Sequence, residues 1–272
     1  MDKSVNEKLL DEQIYWVNNI LKEYINEQNP ELLYDGKDKK RKEKNQKLSH
    51  PFYMGLSKEY LSAEADKRIM IIGQEAGGYG TIDDGTAEYG FIEATEKSKT
   101  NAPENSQKWA VAYLQKQLYD MYDELPACYD EIQKNTSPFW EFFRKLNKRY
   151  ALCWNNLDKV YFGKTLSYTA EEYLSKQYER NGKKQSLLER EIGLATPQAV
   201  IFVTGPYYDR SMEVAFGKGG EISKYRPTVD KLITDVSEVL NLCNGVKAFW
   251  TYHPMYLNCQ ATLDEIVDNL KI

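Results

Sequence analysis

Four short apolar runs constrain what this chain of 272 residues can fold into. RIMIIG (68–73), YALCWNN (150–156), QAVIFVTG (198–205) and VKAFWTY (246–252) are continuous rather than alternating, so each fits a strand buried on both faces. Helical patterns separate them. Val111, Leu114, Leu118 and Met121 stand at helical spacing within 105–122, and Ser137-Pro138 is a cap and first-turn pair for FWEFFRKLNKRY. QSLLEREIGLA (185–195) is helical up to Thr196-Pro197, Pro227 opens a helix over TVDKLITDVSEVL, and ATLDEIVDNL forms the last one. This alternation predicts an α/β fold: three α/β/α layers with a central four-stranded parallel sheet. Leu10, Ile14, Val17, Leu21 and Ile25 mark an amino-terminal amphipathic helix, with Trp16 and Tyr24 at its apolar edge, ending before Asn29-Pro30. The chain thus divides into 1–50, a helix and basic loop packed on the main domain, and 51–272, the α/β domain. Segments 79–104 and 161–184 are too polar for core and are expected as surface loops or lids.

Composition narrows the function classes. Apolar residues are 42% and charged residues 28%, as in globular chains, which excludes disordered and collagen-like classes. No run approaches the roughly 20 apolar residues of a membrane span, and MDKSVNEKLLDEQ lacks a signal peptide's apolar core, so a cytoplasmic protein with no membrane partner, and a monomer, is expected. Cys128, Cys153, Cys243 and Cys259 include no CxxC pair and only two histidines accompany them; buried free thiols and no metal site are the expectation. With a net charge of −5, bulk electrostatics do not recruit nucleic acid. Lys37 to Lys47 carry seven basic residues against Asp38 and Glu43; this local charge of +5 reads as a solvated loop or as a phosphate-contacting arm.

In an open parallel sheet, ligands bind beyond the carboxyl ends of the strands, so the residues after each apolar run are the candidates. They are Gly73-Gln74-Glu75-Ala76-Gly77-Gly78-Tyr79-Gly80, Asn155-Asn156-Leu157-Asp158, Gly205-Pro206-Tyr207 and His253-Pro254-Met255-Tyr256-Leu257. The glycine-rich segment fits neither GxxxxGK[ST] nor GxGxxG, which excludes those phosphate cradles. Its glycines still let the backbone lie close to a flat or anionic ligand. His50 precedes a proline with no strand before it and reads as a turn residue, while Trp109, Trp140, Phe142 and Phe143 sit on helical stripes and read as core.

A strand ending in GQE and a last strand followed by HPMYL resemble the uracil-DNA glycosylase superfamily, whose first motif is GQDPYH and whose second is HPSPL. ALCWNNLDK and LLEREIGLATPQAVIFVTG are similar to the TNxxK and LxREIxLLxPxxIVxLG segments of its thermostable branch, so the resemblance covers about residues 66–270 in order. It implies a DNA glycosylase that flips out uracil or another deaminated or damaged base and hydrolyses its N-glycosidic bond, with no cofactor. Glu75 would stabilise the cationic sugar and orient water, and His253 would donate to an oxygen of the departing base. Asn156 would read the base edge, Gln74 would contact the base through its backbone, Tyr89 or Phe91 would stack on it, and Leu257 would be the DNA wedge. Gly73, Gly77 and Gly78 would form the ligand loop. The chain differs from the superfamily pattern where Ala76-Gly77-Gly78 replaces Pro-Tyr-His, which removes the tyrosine that excludes a 5-methyl group. Glutamate stands for aspartate at 75, Met255 for a phosphate-contacting serine, and the branch's four cluster cysteines have no counterpart. These differences suggest the alternative, a catalytically inactive protein of the same fold that binds a nucleobase, a nucleotide or nucleic acid.

Overall fold

Backbone pairing gathers the four apolar runs into one sheet. The computed structural model describes residues 3–21, 23–24, 52, 54–75, 137–160, 168–228, 230–257, 260–270 and 272. In chain order the main elements are α1 (Val5–Trp16), α2 (Lys58–Ser62), β1 (Arg68–Glu75), α3 (Pro138–Asn147), β2 (Ala151–Asp158), α4 (Tyr168–Leu174), β3 (Tyr178–Arg180) and β4 (Lys183–Gln185). They continue with α5 (Leu187–Ala195), β5 (Ala199–Phe202), α6 (Asp209–Ala215), β6 (Ile233–Asp235), α7 (Ser237–Leu240), β7 (Lys247–Thr251) and α8 (Gln260–Asn269). The sheet runs β2-β1-β5-β7-β6. β2, β1, β5 and β7 are parallel, and β6 joins β7 antiparallel at the edge. The sheet therefore has five strands, not the expected four.

Side chains alternate across this sheet, as a period of two requires. Met70, Ile72, Val200, Phe202 and Trp250 face one core, shared with Leu9 of α1, Leu188 and Ile192 of α5 and Met212 of α6. Ile69, Ile71, Ala199, Ile201 and Phe249 face the other, shared with Phe142 and Leu146 of α3 and Leu263 and Ile266 of α8. Burial on both sides is why these strands read as unbroken apolar runs. The chain leaves β1 toward β2 and then returns past β1 to β5, so the order reverses between β1 and β5, where an α/β sheet opens a crevice at its carboxyl end.

Local chemistry sets the helix ends. Ser4 with Glu7 and Ser186 with Glu189 form reciprocal capping boxes that start α1 and α5. Pro138 occupies the first turn of α3, as expected. Other expectations need correction. The buried stripe of the amino-terminal segment is Leu9, Gln13, Trp16, Val17, Ile20, Leu21 and Tyr24, with Leu10 and Ile14 only half-buried. Gln13 is drawn inward by hydrogen bonds to the Met54 carbonyl and Glu191, and a π-helical turn over Val17–Leu21 shifts the phase. The segment after Pro227 is not one helix: Thr228 pairs with Lys231, β6 follows, and α7 is a single turn begun by Asp235 accepting from Ser237. Leu232, Val236 and Leu240 mimic a helical period, but Ile233 and Thr234 favour the extended chain that β7's free edge pairs with. Within 161–184, residues 168–184 form α4 and the β3-β4 hairpin rather than a loop; its Asn181-Gly182 turn has both residues at positive φ. Cys153 is a buried thiol as expected, whereas Cys243 is exposed. The helix expected over 105–122, Trp109, Cys128, Cys259, His50, segment 79–104 and the basic loop lie outside the described residues. Among the described residues, no helix is long and apolar enough to cross a membrane.

Thr196 closes α5 at φ 46° and ψ 51°, a left-handed conformation that a β-branched residue adopts at a cost. Thr196→Gly removes that cost and loosens the unfolded chain, a smaller opposing effect. Urea denaturation is expected to show a net gain of up to about 1 kcal/mol.

Candidate functional site

The carboxyl ends of β1, β2 and β7 bring three of the sequence-predicted residues, Gly73, Asn156 and His253, to the α3 side of the sheet. Gly73 pairs with Asn156, and two residues on Glu75 pairs with Asp158, so Glu75 ends β1 beside the end of β2. Gln74 uses its side-chain amide to donate to the Thr204 carbonyl at 2.8 Å, closing the end of β1 against the chain after β5. Glycine is required at 73 because a Cβ there would stand 2.6 Å from Asn156 Oδ1 and 3.3 Å from Trp154 Nε1.

Asn156 is buried, and its two amide atoms differ in circumstance. Oδ1 accepts from the Trp154 indole Nε1 at 3.0 Å. Nδ2 has no hydrogen-bond partner among the described residues. Its backbone N–H donates to Asn155 Oδ1 at 2.8 Å, which links the site to a polar assembly on the other face. There Glu191, with 0% exposure, accepts from Gln13 at 2.9 Å, from Asn155 at 2.9 Å and from Lys159 at 2.6 Å. Lys159 also donates to Asn155 Oδ1. Burial pulls the Lys159 ammonium below its usual range, and the Glu191 carboxylate opposes that pull.

His253 is half-buried at the start of the turn after β7. Its Nδ1 accepts from the Met255 backbone N–H at 3.3 Å, so Nδ1 carries a lone pair and the neutral ring bears its proton on Nε2. Burial pushes its pKa down to about 4. The ring lies nearly parallel to Phe139 of α3, centroids 6.0 Å apart, with the edge of Tyr256 on another side. Phe139 in turn touches Trp154 at 5.6 Å and Trp140 at 5.2 Å. An aromatic chain therefore connects His253 to Trp154 and so to Asn156.

Phe139 and Trp154 are the residues that sequence reasoning missed. The signal was present: Trp154 precedes Asn156 by two, which places both on one face of β2, and Phe139 follows the Ser-Pro start of α3. Trp140, expected in the core, is half-buried against Trp154 and Phe139, while Phe142 and Phe143 are core as expected. Leu257 is half-buried against the α3 and α8 core; the exposed side chains of its turn are Met255 and Tyr256. Gly77, Gly78, Tyr89 and Phe91 lie outside the described residues, as does the environment of the Glu75 side chain. Among the described residues, no group of three His, Cys, Asp or Glu side chains could hold a metal ion. No protein-family model, curated protein or solved structure matches the chain.

Two measurements follow. Lys159→Ala or Glu191→Ala strands a buried charge and is expected to cost about 3–5 kcal/mol by urea denaturation, with Lys159→Met/Glu191→Leu costing less than the two losses combined. His253 titrates near 6.5 when unfolded and about 4 when folded. Between those values the unfolded chain binds more protons, so stability falls as pH falls through that window, and this group adds nothing further below it. His253→Gln is expected to flatten that part of the stability profile.

Proposed function

We propose that the chain is a DNA glycosylase on a three-layer fold of uracil-DNA-glycosylase type, hydrolysing the N-glycosidic bond of uracil or another deaminated or damaged base. The observation that carries this reading is the pairing of two neutral donors, the buried Asn156 amide and the His253 imidazole, through the aromatic side chains of Trp154 and Phe139, at the carboxyl end of the sheet. Such a frame suits a flat ring bearing oxygens, and Glu75 ends the neighbouring strand.

The chemistry needs these groups. As the C1′–N bond breaks, its electron pair leaves on the base and the sugar becomes cationic. His253, donating from Nε2 as a neutral ring, would stabilise charge growing on a base oxygen. Asn156 Nδ2 would hold the base edge, and Phe139 would offer a ring face for stacking, the role expected of Tyr89 or Phe91. Glu75 would stabilise the sugar cation and take the proton of the water that adds to C1′. Tyr207, Met255 and Tyr256, at 74%, 60% and 64% exposure, rim the loops after β5 and β7. Tyr256 is then better placed than Leu257 to enter a base stack, with Leu257 anchoring its turn.

The test is alkali-induced strand scission of labelled single- and double-stranded oligonucleotides carrying uracil, hypoxanthine or a mismatched thymine. Wild type is expected to cleave, with Glu75→Gln and His253→Gln each slower by about a hundredfold or more. Folded protein that cleaves none of them overturns the hydrolase and leaves the nucleobase-, nucleotide- or nucleic-acid-binding alternative, tested next by binding.

A further inference from the structure

An unconstrained asparagine amide pairs with a base edge through both atoms, offering an acceptor and a donor side by side. Asn156 does not have both to offer. An indole N–H only donates, so its bond to Trp154 fixes which end of the amide is oxygen. Beside that bond the Gly73 backbone lies close to Oδ1, since a Cβ added there would stand 2.6 Å from Oδ1 and 3.3 Å from the indole nitrogen. Oδ1 is thus occupied by the indole N–H and crowded by the Gly73 backbone. What remains is Nδ2, buried in a residue of 1% exposure and unpartnered among the described residues. A buried donor left unmade is costly, which marks it as the atom a ligand completes.

We infer that Trp154 is a specificity-determining residue that turns Asn156 into a single-donor reader. The inference rests on the reading that Asn156 faces a nucleobase. The site then recognises one acceptor on a flat ring, a carbonyl oxygen or ring nitrogen, and does not read the N–H at the next ring position. Its substrate class extends to oxo bases alkylated on that nitrogen. Trp154 does not touch the base; it acts through Asn156, and releasing it restores two-atom reading.

The test compares free uracil, N3-methyluracil and cytosine binding to isotope-labelled wild type and Trp154→Phe, following the Asn156 side-chain amide signals by NMR. Phenylalanine keeps an aromatic ring at 154 and removes the indole donor, together with part of the ring volume packed on Phe52, Phe139 and Trp140. In wild type, uracil and N3-methyluracil are expected to agree in affinity within about threefold, because the N3 proton is not read. In Trp154→Phe, Oδ1 accepts that proton, and uracil is expected to bind about tenfold more tightly than its N3-methyl derivative. A wild type that already prefers uracil by that margin, or a variant with an unchanged ratio, overturns the inference while leaving the glycosylase reading to its own scission assay. If no base moves the Asn156 amide, the base-reading role falls and this inference falls with it. Should the variant fail to fold, the wild-type ratio alone decides.

Discussion

Glu191 is a carboxylate with no exposed surface, and much of the molecule is arranged to satisfy it. An unmatched buried charge would be intolerable, so its oxygens take hydrogen bonds from an ammonium and two amides. Those partners come from α1, from the end of β2 and from the residue after it, while Glu191 belongs to α5. Three distant stretches of sequence are therefore fixed to one point. The amino-terminal helix is held there by Gln13 as well as by its apolar face, with Trp16 donating to the Leu174 carbonyl as a second polar tie. Asn155 carries the constraint through the sheet. Adjacent strand residues point to opposite faces, so anchoring Asn155 on one side sets the backbone of Asn156 on the other.

The parallel strands were legible because strands buried on both faces have little freedom in sequence. Ile69 to Ile72 and Ala199 to Val203 have no exposed surface, and only an apolar run satisfies such positions. β6 was hidden for the opposite reason: it is three residues long, its place depends on β7's unpaired edge, and its flanking leucine and valine spacings imitate a helix. The face of α1 was misassigned by periodicity because a polar residue, Gln13, is on the inside. No pattern in α1 alone announces that; the reason lies at position 191. The β3-β4 hairpin went unread inside a segment expected as a loop, although its Asn181-Gly182 turn carries a signal, since two consecutive positive-φ positions call for such residues.

The site was legible where chemistry sits at strand ends, and less so where packing decides. Gly73, Asn156 and His253 are at the positions that strand-end reasoning selects, and the fold places them on one side of the sheet. Phe139 and Trp154 were missed because an aromatic beside other aromatics looks like core. What separates them is register: Trp154 shares a face with Asn156, and Phe139 is the first aromatic of α3 and the one that reaches His253. Leu257, named for an exposed task, is half-buried against the α3 and α8 core, while Met255 and Tyr256 of the same turn are exposed.

The cation linked to Asn156 through Asn155 is held in an ion pair on the other face of the sheet. The described charges nearest Asn156 in the network, Lys159 and Glu191, are paired with each other, and an ion pair's field decays faster than that of a lone charge. On the α3 face the groups assigned to the base are uncharged. In the proposed reaction this separation matters, because a cation permanently beside the base would stabilise any anionic ligand, in the ground state as much as in the transition state. A neutral imidazole and an oriented amide interact weakly with a neutral base and more strongly as negative charge develops on it, which is the differential that accelerates a reaction. His253 is kept neutral by burial against Phe139, and the Met255 N–H donated to its Nδ1 leaves the proton on Nε2. Burial thus sets the charge of the ring while the Met255 contact sets which nitrogen bears its proton, so the electrostatic and geometric demands on this residue are met at one turn.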